Sequence, residues 1–109
     1  MANTASQVNP LTLTRLATGT YIEDDTAVAV TITCGFTPRY VRVCNETSGD
    51  MYEWFESMAD AEALKQVTAG TRSIITTLGI TPVANSGFTI GLDTDVNAKD
   101  EQISWLAMG

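Results

Sequence analysis

The chain predicts an all-β fold: an antiparallel β-sandwich of jelly-roll type over residues 21–109, an extended N-terminal arm over residues 1–20, and at most one short helix. Three observations predict it. Apolar residues recur with a period of two in several separate stretches, the spacing that places them on one face of a strand. About seven such stretches are separated by Gly, Pro, Asn and Ser signals every 8 to 12 residues or so, the pattern of a sandwich. Thr occupies many of the intervening positions, and its branched Cβ favours extended backbone.

Residues 1–20 are polar and rich in Thr and Ala, and Leu11, Thr12, Leu13 and Thr14 alternate after Pro10. The segment reads as an extended arm because β-branched Thr disfavours a helix. Two fates are open to it. Leu11, Leu13 and Leu16 either add an edge strand to their own domain or pair with a neighbouring subunit, hiding apolar side chains there. Glu23, Asp24 and Asp25 follow; neighbours on an extended chain point to opposite sides, so the run reads as a solvated loop.

The stretch from Thr26 to Cys44 carries the strongest strand signal. Val28, Val30 and Ile32 alternate with Ala29, Thr31 and Thr33, and alternation resumes from Tyr40 to Val43. Gly35, Thr37 and Pro38 supply turn chemistry between them, predicting a β-arch or a hairpin. Asn45 to Asp50 is loop chemistry, and its Asn-Glu-Thr sequon reads as accidental without an export signal. Tyr52, Trp54 and Phe55 stand in the densest aromatic cluster; aromatic residues at period two build half a core or, alternatively, a stacking platform for a sugar.

Ala59 to Val67 predicts the one helix, with Ala61, Leu64 and Lys65 near Val67 at three-to-four spacing, Asp60 as cap and Gly70 beyond its end. Thr71 to Leu78 returns to strand character. Gly79 breaks it, and Ile80 to Val83 begins another strand that Pro82 confines to an edge. After the turn at Asn85, Ser86 and Gly87, alternation in Phe88, Ile90 and Leu92, and later in Ile103, Trp105 and Ala107, predicts the last strands.

Six basic against thirteen acidic residues give a formal charge of −7, a field that repels phosphate backbones, so nucleic acid is not an expected partner. No apolar run approaches the roughly 20 residues of a membrane span. The N-terminus lacks a basic start and an apolar core, so cytoplasmic synthesis is expected. Cys34 and Cys44 are expected as small buried hydrophobes rather than a bridge, although strands flanking one turn leave a cross-strand bridge geometrically open.

The chain has no His, which removes the usual general base, the usual partner of a Ser or Cys nucleophile and the commonest zinc ligand; no catalytic residue, metal ligand or cofactor site is expected. Glu53 and Glu56 flank the aromatic run on a stretch read as exposed, where a raised pKa has no support. Asp93, Asp95 and Asn97 open like a calcium loop, but Ala98 stands where that loop needs Gly and Ser104 where it needs the bidentate Glu, so a solvated turn is expected.

Gly35–Val43 (GFTPRYVRV), Glu53–Asp60 (EWFESMAD), Ala69–Ile80 (AGTRSIITTLGI), Gly87–Gly91 (GFTIG) and Ile103–Gly109 (ISWLAMG) together resemble small β-sandwich structural proteins of tailed bacteriophages. The resemblance implies a virion protein without enzymatic activity, made in the bacterial cytoplasm and seated on the head surface. There it would be a decoration or cement subunit binding the major capsid protein, with a homotrimer favoured. The expected protein interface comprises Leu11, Leu13, Arg15, Leu16, Arg39 and Arg42. The alternative is a head-fibre or tail-fibre module that binds a receptor or glycan through Tyr52, Trp54 and Phe55.

Overall fold

The computed structural model describes residues 15–23, 28–68 and 70–109. Among these described residues there are eight strands: β1 (Leu16–Ile22), β2 (Val30–Thr33), β3 (Tyr40–Asn45), β4 (Met51–Phe55), β5 (Glu62–Gln66), β6 (Arg72–Val83), β7 (Gly87–Ile90) and β8 (Gln102–Met108). Every pairing between them is antiparallel, so the all-β antiparallel class holds. The strands form one continuous sheet in the order β1-β8-β3-β4-β5-β6-β7-β2. A second layer arises because this sheet curls on itself into a half-barrel, not because a separate sheet stacks upon it.

One aromatic contact makes the curl visible. β7 and β8 are far apart in the sheet order, yet Phe88 and Trp105 meet edge to face with ring centroids 5.6 Å apart. Between them the concave face collects one alternating set from each strand: Val41 and Val43, Tyr52 and Trp54, Ala63, Ile80, Phe88 and Ile90, and Ile103 and Ala107, all buried. Gly19 on β1 permits the Trp105 ring to lie flat against it, since a Cβ there would stand 2.6 Å from the indole. The apolar alternation in the sequence therefore maps onto one face, as strand geometry requires.

Of the β-arch and the hairpin predicted for the stretch ending at Cys44, the arch forms: β2 pairs with β7 while β3 pairs with β4 and β8. Cys34 and Cys44 therefore lie on different parts of the sheet as free thiols. The predicted helix at Ala59 to Val67 is instead β5. Ala61 takes a left-handed backbone with φ of 67°, which interrupts any helical turn, and the period beyond it is two: Ala63 enters the core while Leu64 pairs outward with Ile74. The strands read on either side of Gly79 are one long β6 with an irregular middle.

That irregularity turns the sheet. Glu62 lies opposite Ile80 while Ala63 lies opposite Ile75, so residues 76–79 have no partner on β5. Leu78 has φ of 63° here, and Gly79 donates to Ala61 O at 2.9 Å and accepts from Gly91 N at 2.9 Å. A Cβ at Gly79 would sit 2.5 Å from Glu62 O, so the backbones approach as closely as they do only because that carbon is missing.

Among the described residues the sheet's two edges are β1 and β2, and they flank a seam. Asn97 braces one end of it: its Oδ1 accepts from the Tyr21 hydroxyl on β1 at 3.0 Å, and its Nδ2 donates to Val28 O, just before β2, at 2.9 Å. At the other end Phe36 packs against Gly109, beyond β8. Leu11 and Leu13 lie outside the described residues, whereas residues 16–20 of the expected arm belong to β1. Two outcomes are expected from urea unfolding monitored by circular dichroism. Gly79→Ala lowers stability by about 1–3 kcal/mol through backbone crowding. Asn97→Ala loses about 1–3 kcal/mol for each buried group left without its partner.

Candidate interaction face

The convex face of the sheet is built by the side chains that alternate with the core. Cross-strand register places them in rows. Leu16 lies opposite Met108, Met108 opposite Tyr40 and Tyr40 opposite Phe55, an apolar row across four strands. Leu16 is 60% exposed, Phe55 45% and Met108 38%, values high for side chains of this size. Tyr40 and Phe55 stack tilted with centroids 5.2 Å apart, which stiffens the row.

A second row runs Thr18, Leu106, Arg42, Glu53, Leu64 and Ile74 across six strands. The Tyr40 hydroxyl donates to Glu53 Oε2 at 2.8 Å. Burial, then that carboxylate, pushes the Tyr40 pKa up to about 12, so the phenol stays neutral at physiological pH. Below this row lies a shallow depression of about 220 Å³ between Arg42, Met51, Glu53, Leu64, Gln66 and Arg72. Arg39, at the entry to β3, is exposed and sits 3.8 Å from Glu56, a contact that solvent screens.

Of the residues expected at a protein interface, Leu16 and Arg42 share this convex face. Arg39 lies at its margin, and Arg15 anchors the start of β1 by exchanging backbone hydrogen bonds with Gly109. Tyr52 and Trp54 are corrected as members of a ligand platform: they are 0% and 2% exposed, inside the core, because they point to the concave side of β4. The Tyr52 hydroxyl donates to Leu78 O at 2.9 Å, and burial first, then Asp93, raises its pKa. Phe55 alone of that trio faces solvent. Met108 and Leu106 are missed by sequence reading, since their convergence with Tyr40 depends on strand order, which is a long-range property.

The calcium-like loop is held from within the chain. Lys65 Nζ lies 2.7 Å from Asp93 Oδ2 and 2.8 Å from Asp95 Oδ2, so a side-chain ammonium takes the place between these carboxylates. Burial opposes the charge on Lys65, but its hydrogen bonds to both aspartates outweigh that and raise its pKa. Burial likewise opposes ionisation of Asp93, and Lys65, the Asp95 amide and the Tyr52 hydroxyl together more than offset it, holding the Asp93 carboxyl below its ordinary range. Among the described residues no group of three or more His, Cys, Asp and Glu side chains is arranged to hold a metal. No helix among them is long and apolar enough to cross a membrane.

Asn45, the sequon residue, is fully buried; its Nδ2 donates to Glu101 Oε1 at 2.8 Å and its Oδ1 accepts from the Thr47 and Ser48 amides. A side chain so engaged has no free amide to offer a glycosylating enzyme. No family model, curated protein or solved structure matches this chain.

Lys65→Met is expected to cost about 1–3 kcal/mol at neutral pH, as two carboxylates lose a charged donor, one of them well shielded. Asp93 is easier to ionise folded than unfolded, so its contribution is complete above the ordinary Asp value of about 4 and fades as pH falls through the folded value. The difference between wild type and Lys65→Met, measured by urea unfolding, should therefore shrink in acid; a difference that is constant with pH contradicts the ion pair.

Proposed function

We infer that this protein is a structural subunit of a bacteriophage head, a decoration or cement protein that docks on the major capsid protein through the convex face of its sheet. The observation that carries the docking role is the exposed row of Leu16, Met108, Tyr40 and Phe55, aligned by register and rimmed by Arg39 and Arg42. Exposed apolar side chains that form one aligned row offer a continuous surface to a partner, unlike singly scattered ones. The partner class rests on the sequence resemblance to virion proteins; the face rests on geometry. The reading of a glycan-binding module loses its platform with the burial of Tyr52 and Trp54.

On this reading binding is energetically simple. Covering one large apolar side chain contributes about 1.5–3 kcal/mol, and the rim arginines orient the contact against an acidic counterpart. Such a subunit strengthens a shell by bridging neighbours and needs no reaction. Phe55→Asp is expected to weaken co-sedimentation with heads lacking the subunit by at least about tenfold while leaving the thermal midpoint within a few degrees of wild type. Failure of the wild-type chain to sediment with such heads overturns the capsid reading.

A further inference from the structure

Among the described residues β1 is an edge strand with no strand on its outer side, and its composition is unusual for one. Residues 16–22 read Leu-Ala-Thr-Gly-Thr-Tyr-Ile, with no Lys, no Pro and no charge, the devices that ordinarily blunt an edge. Arg15 and Gly109 exchange hydrogen bonds in both directions, at 3.3 and 2.9 Å, which fixes the phase of the β1 ladder. The odd-numbered residues of β1 therefore bond to β8. The N–H and C=O groups of Leu16, Thr18, Thr20 and Ile22 point to that outer side. The other edge, β2, is only four residues long and offers two residues in the same phase, Thr31 and Thr33.

We propose that two copies of this chain pair antiparallel through β1, with the two-fold axis passing beside Gly19, to form one continuous sheet across the dimer. This inference stands apart from the capsid reading. The strand is self-complementary about that point in two independent ways. In this register Leu16 meets Ile22 of the second copy and Thr18 meets its Thr20, so the residues whose backbone groups are open on one edge meet those open on the other. The same register matches the faces: Leu16 and Ile22, 60% and 61% exposed on the convex side, cover one another at both ends of the contact. Two chains that each carry a net charge of −7 meet along the strip that contributes nothing to their repulsion.

An isologous edge contact has two-fold symmetry. The three-fold assembly that the resemblance implies would instead need a head-to-tail contact, and the shortness of β2 gives it little ladder to build on.

Sedimentation velocity and light scattering on the intact chain test the proposal. Wild type is expected to associate reversibly to twice the 11.7 kDa chain mass. Thr18→Lys combined with Thr20→Lys places like charges opposite one another across the axis and should weaken association at least about tenfold. Both positions are exposed, so circular dichroism should be unchanged. Mixing that variant with Thr18→Glu/Thr20→Glu should restore a dimer containing one copy of each. A wild type that stays monomeric at all concentrations, a trimer, or a dimer indifferent to the four charges would each overturn the proposal. Should the lysine variant unfold, Thr18→Pro, which removes a donor facing the open edge and none facing β8, is expected to give a folded monomer; a Thr18→Pro chain that still dimerises overturns it too.

Discussion

Contact between Phe88 and Trp105 is the constraint on which the rest of this molecule depends. A flat eight-stranded sheet of this length would leave ten or so core side chains facing water on one side. Bringing the seventh strand over the eighth encloses them, and each strand then needs only one apolar face. The cost is paid in backbone freedom at two places. Gly19 gives up its side chain so that the indole can lie against β1, and Gly79 gives up its own so that β6 can turn.

A curled sheet that stops short of closure leaves a seam, and polar groups manage it. Asn97 links the two edge strands, while Asn45 ties the turn after β3 to the loop before β8. Asp50 does the same for the segment beyond β5, accepting from the Thr68 amide at 2.8 Å. These side chains are nearly or fully buried, and each is engaged by two or more partners, which is what makes burial of polar groups tolerable. The apolar face thus supplies the driving force, and the buried amides choose one arrangement of loops.

Much of this was readable from the chain. Alternation at Val41 and Val43, at Tyr52 and Trp54, and at Ile103, Trp105 and Ala107 identified strands, because period-two spacing is a local property. What failed was non-local. Ala61, Leu64, Lys65 and Val67 fit a helical spacing by coincidence, since Lys65 is placed by aspartates 28 and 30 residues away and Leu64 by Ile74 across the sheet. The choice between a stacked sandwich and a curled sheet turned on which strands pair, and turn signals carry no information about that. The convex row was invisible for the same reason, since its members come from four separated strands. Tyr52 and Trp54 carried an ambiguity that only their side of β4 resolves.

Lys65 takes over a task that elsewhere falls to a bound ion. Loops of the Asp-x-Asp-x-Asn kind generally take their shape from a dissolved ion, and so inherit the variability of its supply. Here the counter-charge is covalently attached to a neighbouring strand, at 2.7 and 2.8 Å from its two carboxylates. The loop between β7 and β8, and with it the brace at Asn97, consequently keeps its form in chelating media and in surroundings stripped of divalent ions.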